Sequence, residues 1–349
     1  MEIEELDPLA AWDWPSEPTA ALLESGLIND SWAVLVDDEP VAVMQQLNLG
    51  IFNPTLHHDI YAVTQHLRAK GRATTELLRT RQGELWHEDA EGNVWRCLTW
   101  VGDRTQEQLD DPSDAKSAGF LVARFHAAMF GWRYDFKFTR PGAHDTVVHM
   151  AKLQHALVTH RNARLRPKVT LVADQILDQW RLWDGISDLP QRIIHGDLKI
   201  SNVRFQGPDA LTLIDLDTMQ WGTLDVELGD MLRSWCNLGG EDAATTEFNL
   251  EFFEAAMTGY CEGAKDLPFT RKEWRSIVPG IERISLELAA RFARDALEES
   301  YFAWDASRFD TPGAHNLVRA KAMAALALSV HHQADEAEAI LTRIRRDVS

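Results

Sequence analysis

The feature that most constrains this chain is a 25-residue stretch from Ile193 to Asp217, IIHGDLKISNVRFQGPDALTLIDLD. Two short apolar runs, Ile193-Ile194 and Leu211-Thr212-Leu213-Ile214, have the composition of strands. Between and after them stand His195, Asp197, Lys199, Asn202, Asp215 and Asp217. A hairpin joining loop and strand brings Asn202 and Asp215 together across 13 residues of sequence. A polar loop closed by a strand that ends in a carboxylate has the layout of a phosphoryl-transfer site.

Phosphoryl transfer asks little covalent chemistry of a protein. It needs a cation on the phosphates, a group that orients the acceptor hydroxyl, and positive charge near the transferring group. Asp197, at the turn of the loop, is placed to orient the hydroxyl or take its proton. The amide oxygen of Asn202 and the carboxylate of Asp215 are hard donors suited to Mg²⁺. Lys199 can reach the transferred phosphoryl and offset its charge. Taken singly, each residue has a plainer reading. His-Gly-Asp can be a turn with a capping aspartate, Leu-Ile-Asp-Leu-Asp a strand with a solvated end, Lys199 an exposed side chain and His195 a loop brace. The combination is what points to chemistry.

The flanking sequence supplies a setting. Length, 349 residues, exceeds one comfortable core and predicts two lobes, residues 1–101 and 102–349. Residues 19–48 read as a small antiparallel sheet. A turn over Ser25–Ser31 leads to a strand from Trp32 to Val36, and Asp37-Asp38-Glu39-Pro40 turns the chain into Val41–Met44. Asn53-Pro54 reads as the start of a helix whose apolar face is Leu56, Ile60, Val63 and Leu67, ending near Gly71. Leu85-Trp86 and Val94–Leu98 read as strands around a turn at 89–93, and Thr99–Gly102 as a hinge. Helical patterns follow: one capped by Ser113, then 145–164, 168–183, 225–238, 243–263, 271–302 and 314–346. The expected class is α+β, a small antiparallel-sheet N-terminal lobe and a large, mainly helical C-terminal lobe, with nucleotide between them.

Charge and composition exclude some functions. A formal net charge of −19 opposes binding to nucleic acid or to an anionic membrane. No apolar run approaches 18 residues, and the acidic N-terminal stretch does not read as a secretory signal. Three widely spaced cysteines, Cys97, Cys236 and Cys261, fit free thiols in a reducing cytoplasm. The histidine pairs 57–58 and 331–332 and the trio His149, His155 and His160 lack metal-ligand spacing. His144-Asp145-Thr146 reads as a helix cap, and His315 as either a cap or a pocket wall.

His195-Gly196-Asp197-Leu198-Lys199-Ile200-Ser201-Asn202 followed by Leu-Ile-Asp-Leu-Asp resembles the aminoglycoside phosphotransferase and choline kinase superfamily, which shares the protein-kinase-like fold. The segments MQQLNLGIF, IDLDTMQWG with LGDMLRS after it, and RFARDALEESYF followed by HNLVR resemble the bacterial N-acetylhexosamine 1-kinases. Those enzymes use ATP and Mg²⁺ to phosphorylate an anomeric hydroxyl. The resemblance implies a catalytic Asp197, metal ligands Asn202 and Asp215, and a loop over the nucleotide phosphates containing Asn29 and Ser31. It implies a sugar pocket lined by Arg291, Tyr301 and His315, and a supporting Glu227. Asp217 stands where many relatives have glycine, either as a metal or substrate contact or as a plain loop residue. Two positions depart from the wider pattern. Gln45-Gln46 occupy the strand that usually carries a phosphate-binding lysine or arginine, so a neutral amide is expected to face the phosphates. The 1-kinases have His-Asn-Asp where this chain reads His195-Gly196-Asp197.

The expected activity is therefore an ATP- and Mg²⁺-dependent kinase, a monomer or homodimer, acting on a small-molecule sugar. A kinase for another hydroxyl, on an aminoglycoside, an amino alcohol or another sugar position, is the runner-up. The acidic residues Glu287, Asp295, Glu298 and Glu299 leave a polycationic acceptor open. A non-catalytic nucleotide-binding protein is the third reading.

Overall fold

The computed structural model describes residues 3–4, 7–23, 29–243 and 246–348. The expected turn at Ser25–Ser31 falls largely on residues 24–28, outside the described residues.

The N-terminal part is one antiparallel sheet built from β1 (Ile3–Glu4), β2 (Pro18–Leu22), β3 (Asp30–Val36), β4 (Glu39–Gln46), β5 (Leu77–Leu78), β6 (His87–Glu88) and β7 (Val94–Thr99). The strand order is β1-β2-β3-β4-β7-β5, with β6 also paired to β7. Asp37 and Asp38 turn β3 into β4 with positive φ at both positions, 52° and 66°, the backbone that matches strand twist in a two-residue hairpin. One face of the sheet buries Trp32, Val34, Met44 and Trp95 under Leu9 and Trp12 of the N-terminal segment. That cover was not expected from an acidic terminus. On the other face Ser31 lies opposite Gln45, and Gln45 opposite Arg96, so the three form one row across the sheet.

Helix α1 (Leu56–Ala69) runs between β4 and β5. Its Asn53 side chain accepts the Thr55 N–H at 2.9 Å, and Gly71, at φ 68°, ends it as expected. Beyond β7 the chain is mainly helical: α2 (Pro112–Met129), α3 (Thr146–Thr159) and α4 (Arg166–Leu182) precede the central stretch. Asp111, not Ser113, caps α2, its carboxylate accepting the Ser113 N–H at 2.8 Å. The central stretch forms β8 (Arg192–Ile194), the hairpin β9 (Val203–Gln206) and β10 (Asp209–Leu213), and β11 (Gln220–Gly222), which returns to pair with β8.

Helices α5 (Leu224–Trp235), α6 (Leu250–Gly263), α7 (Arg271–Glu298), α8 (Pro312–His332) and α9 (Ala334–Val348) complete the chain. The single helix expected over 314–346 is two, broken at Gln333. Helix α7 starts with a capping box, Thr270 and Glu273 each bonding the other's backbone N–H. Helices α2 and α6 meet at Gly119 and Gly259, where an added Cβ would lie 2.1 Å and 1.9 Å from facing backbone carbonyls. Only glycine permits that approach. Among the described residues no helix is long and apolar enough to cross a membrane.

Candidate active site

A cavity of about 760 Å³ lies between the sheet and the helices. Its walls come from the open face of the sheet, from the β8–β11 stretch, from the loop before α3 and from α7.

The β9–β10 hairpin does what its sequence predicts. The Ile214 N–H donates to the Asn202 carbonyl at 2.9 Å, which sets Asp215 beside Asn202. Asn202 is buried, and its Nδ2 donates to the Asp197 carbonyl at 2.8 Å and to Asp197 Oδ2 at 3.1 Å. Its amide oxygen is left as the donor atom for a cation. Lys199 Nζ lies 3.5 Å from Asp197 Oδ2, and that charge raises the lysine's proton affinity. Asp215 holds a left-handed backbone, φ 62° and ψ 56°, at the strand end. Burial pushes its carboxyl up to about 6, the charges of Asp217 and Asp197 add to this, and Lys199 and Arg96 oppose it.

A hard divalent cation fits that environment. The Asp215 carboxylate is buried beside two further carboxylates, Asp197 and Asp217, and next to an amide oxygen. Among the described residues no three His, Cys, Asp or Glu side chains converge as a metal cage. Two protein ligands, with the remaining oxygens from phosphate and water, is the pattern magnesium favours.

The loop that carries Asp197 is held by α5. Glu227, fully buried, accepts the N–H groups of His195 at 2.8 Å and Gly196 at 2.9 Å. His126 Nε2 lies 3.0 Å from the same carboxylate, and its Nδ1 lies 2.8 Å from the Tyr260 hydroxyl. These bonds hold the Glu227 carboxyl below its usual range although burial pushes it up. Asp230, one turn on, accepts the Leu198 N–H at 2.9 Å. His195 is a brace, its Nε2 2.9 Å from the Ile214 carbonyl, an acceptor that requires the Nε2–H tautomer. Gly196 has φ 81°, and a Cβ there would lie 2.7 Å from the Thr218 carbonyl. The asparagine of the 1-kinase pattern would press on that carbonyl.

The sheet contributes a row of polar groups. Gln45 Nε2 donates to Ser31 Oγ at 2.9 Å, and Gln45 Oε1 accepts from Arg96 Nε at the same distance. Arg96, 1% exposed, then grips Asp217 with both terminal nitrogens, at 2.7 Å and 2.9 Å. Asn29 joins the cluster, its Nδ2 donating to Asp217 Oδ2 at 3.0 Å while its Oδ1 accepts the Asn48 N–H. Gln45 gives the cavity a neutral amide, and Arg96 is not part of the wall. A cation is present one strand away from Gln45, and its charge is engaged by Asp217.

The cavity wall thus gathers Asn29, Ser31 and Gln45 from the sheet with Asp197, Lys199, Asn202 and Asp215 from the central stretch, and Arg291 and Tyr301 from beyond α7's midpoint. Three expected site residues do not line it. Gln46 is one residue out of phase with Gln45, so the strand's two-residue alternation turns it to the other face. Asp217 lies behind the wall, enclosed by Arg96 and Asn29. His315 is 1% exposed, with Nε2 2.8 Å from Asp242 and Nδ1 accepting the Asp305 N–H. Thr311, not His315, caps α8.

Helix α7 places Glu287, Arg291 and Asp295 at intervals of four, one stripe facing the cavity. Glu287 is engaged by His144 at 3.1 Å and the Thr146 hydroxyl at 2.6 Å. Asp295 accepts the N–H groups of Ser300, Tyr301 and Phe302 and the Asn316 amide, which folds the turn carrying Tyr301. His144 also lies 3.3 Å from the Gly196 carbonyl, so it spans from α7 to the catalytic loop. Burial alone would lower its proton affinity, but the bond and charge of Glu287 raise it. The imidazolium form donates to both acceptors.

Residues 19–268 match the model of the phosphotransferase enzyme family. The chain belongs to that family. It also superposes on solved structures across nearly its whole length. An aminoglycoside phosphotransferase from Alicyclobacillus acidocaldarius subsp. acidocaldarius DSM 446 shares 17% identity, with a TM-score of 0.59 over 99% of this chain and 97% of that one. A microcompartment-associated aminopropanol kinase shares 16%, with a TM-score of 0.62 over 95% and 96%. A choline kinase from Cryptosporidium parvum Iowa II shares 11%, with a TM-score of 0.53 over 93% and 92%. The fold is the two-lobed kinase-like α+β fold of these enzymes, as the sequence predicts.

Proposed function

We propose that this phosphotransferase is an ATP- and Mg²⁺-dependent kinase that phosphorylates the anomeric hydroxyl of an N-acetylhexosamine or a related sugar. The observation that carries the kinase reading is the joining of Asp197, Asn202 and Asp215 at one cavity wall by the hairpin. Solved relatives by fold bind nucleotide or its analogues: an amicoumacin kinase is in complex with AMP-PNP and Ca²⁺, and a spectinomycin phosphotransferase with ADP.

Asp197 accepts a hydrogen bond from the acceptor hydroxyl and aligns it with the phosphoryl group. An anomeric hydroxyl is more acidic than an ordinary alcohol, so a carboxylate is base enough. Asn202 fixes Asp197 through its Nδ2, and its amide oxygen together with the Asp215 carboxylate would hold the metal. A divalent cation held there would supply charge neutralisation for the phosphoryl group being transferred. Lys199 adds positive charge at the transferring group.

The acceptor end of the cavity supports a sugar over a polycation. An aminoglycoside needs free carboxylates facing the cleft. Glu287 and Asp295 are buried and engaged, Glu298 pairs with Arg294 at 2.8 Å, and Glu299 accepts the Gly313 N–H. Arg291 and Tyr301 are stacked there instead, guanidinium 5.7 Å from the ring centre. Three buried free thiols accord with work in the cytoplasm.

The test is incubation with ATP, Mg²⁺ and N-acetylglucosamine or N-acetylgalactosamine. The proposal expects ATP to be consumed and the sugar's reducing end to be lost in equal amounts. Consumption with the reducing end intact removes the 1-kinase assignment and leaves a kinase for another hydroxyl.

A further inference from the structure

The α7 side of the cavity carries more positive charge than a neutral sugar needs. Arg140, from the loop before α3, donates through Nη2 to the Tyr301 hydroxyl at 3.1 Å. Arg291, from α7, lies over the same ring. Burial would raise the Tyr301 phenol, but the bond from Arg140 and the charges of Arg291 and Arg140 hold it below its usual range. Among the described residues, neither arginine has a carboxylate within 4 Å. Their neighbours differ: Arg294, Arg319 and Arg233 pair with Glu298, Asp242 and Asp230 at 2.7–2.8 Å. Lys152, also on the wall, has no ion pair among the described residues either.

Two guanidinium groups sharing one phenol, and no acid, leave their charge open to a ligand. The chain's net charge of −19 does nothing to draw an anion in from solution, so the positive patch acts locally. Tyr301 is 44% exposed, which puts the pair where an entering acceptor meets it. A guanidinium presents a planar fork of donors that matches a carboxylate edge.

We propose that the preferred acceptor carries a carboxylate, seated between Arg140 and Arg291 beside Tyr301, as in a hexuronic acid. The proposal rests on the sugar 1-kinase reading above and takes its related-sugar branch, a hexuronic acid in place of an N-acetylhexosamine. Asp197 keeps its place at the anomeric hydroxyl, and the arginines hold the opposite part of the sugar.

The experiment compares glucuronate and galacturonate with glucose, galactose and the two N-acetylhexosamines, reading ATP consumption and loss of reducing end. The expected result is a kcat/KM at least tenfold higher for the acid than for its neutral counterpart. Arg140→Met and Arg291→Met should each raise KM for the acid about tenfold or more and reduce the acid preference to within about threefold. KM for ATP and the thermal midpoint should stay within twofold and about 3 °C of the parent protein. Equal or better turnover of the neutral sugars overturns the carboxylate assignment while the 1-kinase reading stands. Acid preference that survives both arginine substitutions overturns the placement. If no sugar of either series loses its reducing end, the 1-kinase reading fails and takes this proposal with it.

Discussion

Arg96 Nη1 and Nη2 lie 2.7 Å and 2.9 Å from the two carboxylate oxygens of Asp217, and both side chains are shut away from solvent. The pair joins the sheet to the loop that carries Asp215. It also satisfies two charges that would each be costly alone at that depth. Removing one partner of a buried pair costs about 3–5 kcal/mol, whereas replacing both with apolar side chains is often neutral. Arg96→Met should therefore lower unfolding stability by about 3 kcal/mol or more. Arg96→Met with Asp217→Leu should recover most of that loss. Urea unfolding of the two variants measures both.

Asn202 and Asp215 give the cation its only protein ligands in this account. Asp215→Asn should raise the Mg²⁺ concentration for half-maximal rate by about tenfold or more, of the order of 1.4 kcal/mol per tenfold. It should also remove the rise in thermal midpoint that Mg²⁺ with a non-hydrolysable ATP analogue gives the parent protein. Activity titrated against Mg²⁺ and thermal melts with and without the ligands test this pair of effects.

His57 makes the fold sensitive to acid. It is fully buried against Trp86, and burial with the nearby Arg96 charge lowers its pKa to about 3. In the unfolded chain it protonates near 6.5, so between about 6.5 and 3 the unfolded state holds a proton that the folded state does not. Stability then falls as pH drops through this window, by about 1.4 kcal/mol per pH unit from this residue alone. His57→Phe keeps a ring against Trp86 and should show a shallower loss between pH 6.5 and 4. Unfolding free energies measured across that range give the slopes.

Much of this was readable in the sequence, for reasons of distance along the chain. The hairpin packs its chemistry into 25 residues, so Asp197, Asn202 and Asp215 announce one another. The helix starting near Asn53 and the strands of the sheet follow from apolar period and turn residues. The rest depends on partners far apart. Arg96 meets Asp217 across 121 positions, His126 meets Glu227 across 101, and Arg140 meets Tyr301 across 161. No local pattern marks such pairs. Gln46 went astray through strand phase, which a two-residue motif does not reveal. For Arg96 the sequence offers half of the pair: a lone arginine within the apolar run Val94–Leu98 has to find a buried acid, but nothing local says which. His315 is next to a helix start and so reads as accessible, yet the stacking of Phe309 on its ring and the bond to Asp242 enclose it.

The central claim is that Asp197 works on the acceptor hydroxyl and that its neighbours bind metal and nucleotide. Asp197→Asn keeps the shape of the side chain and the contact with Asn202 while removing the base. Single-turnover transfer from ATP, measured with nucleotide and Mg²⁺ affinities on the same protein, tests it directly. The account predicts a rate lower by about 10³-fold, within the usual range for general base catalysis, with both affinities within about threefold of the parent. A variant that transfers phosphoryl within tenfold of the parent rate would contradict it.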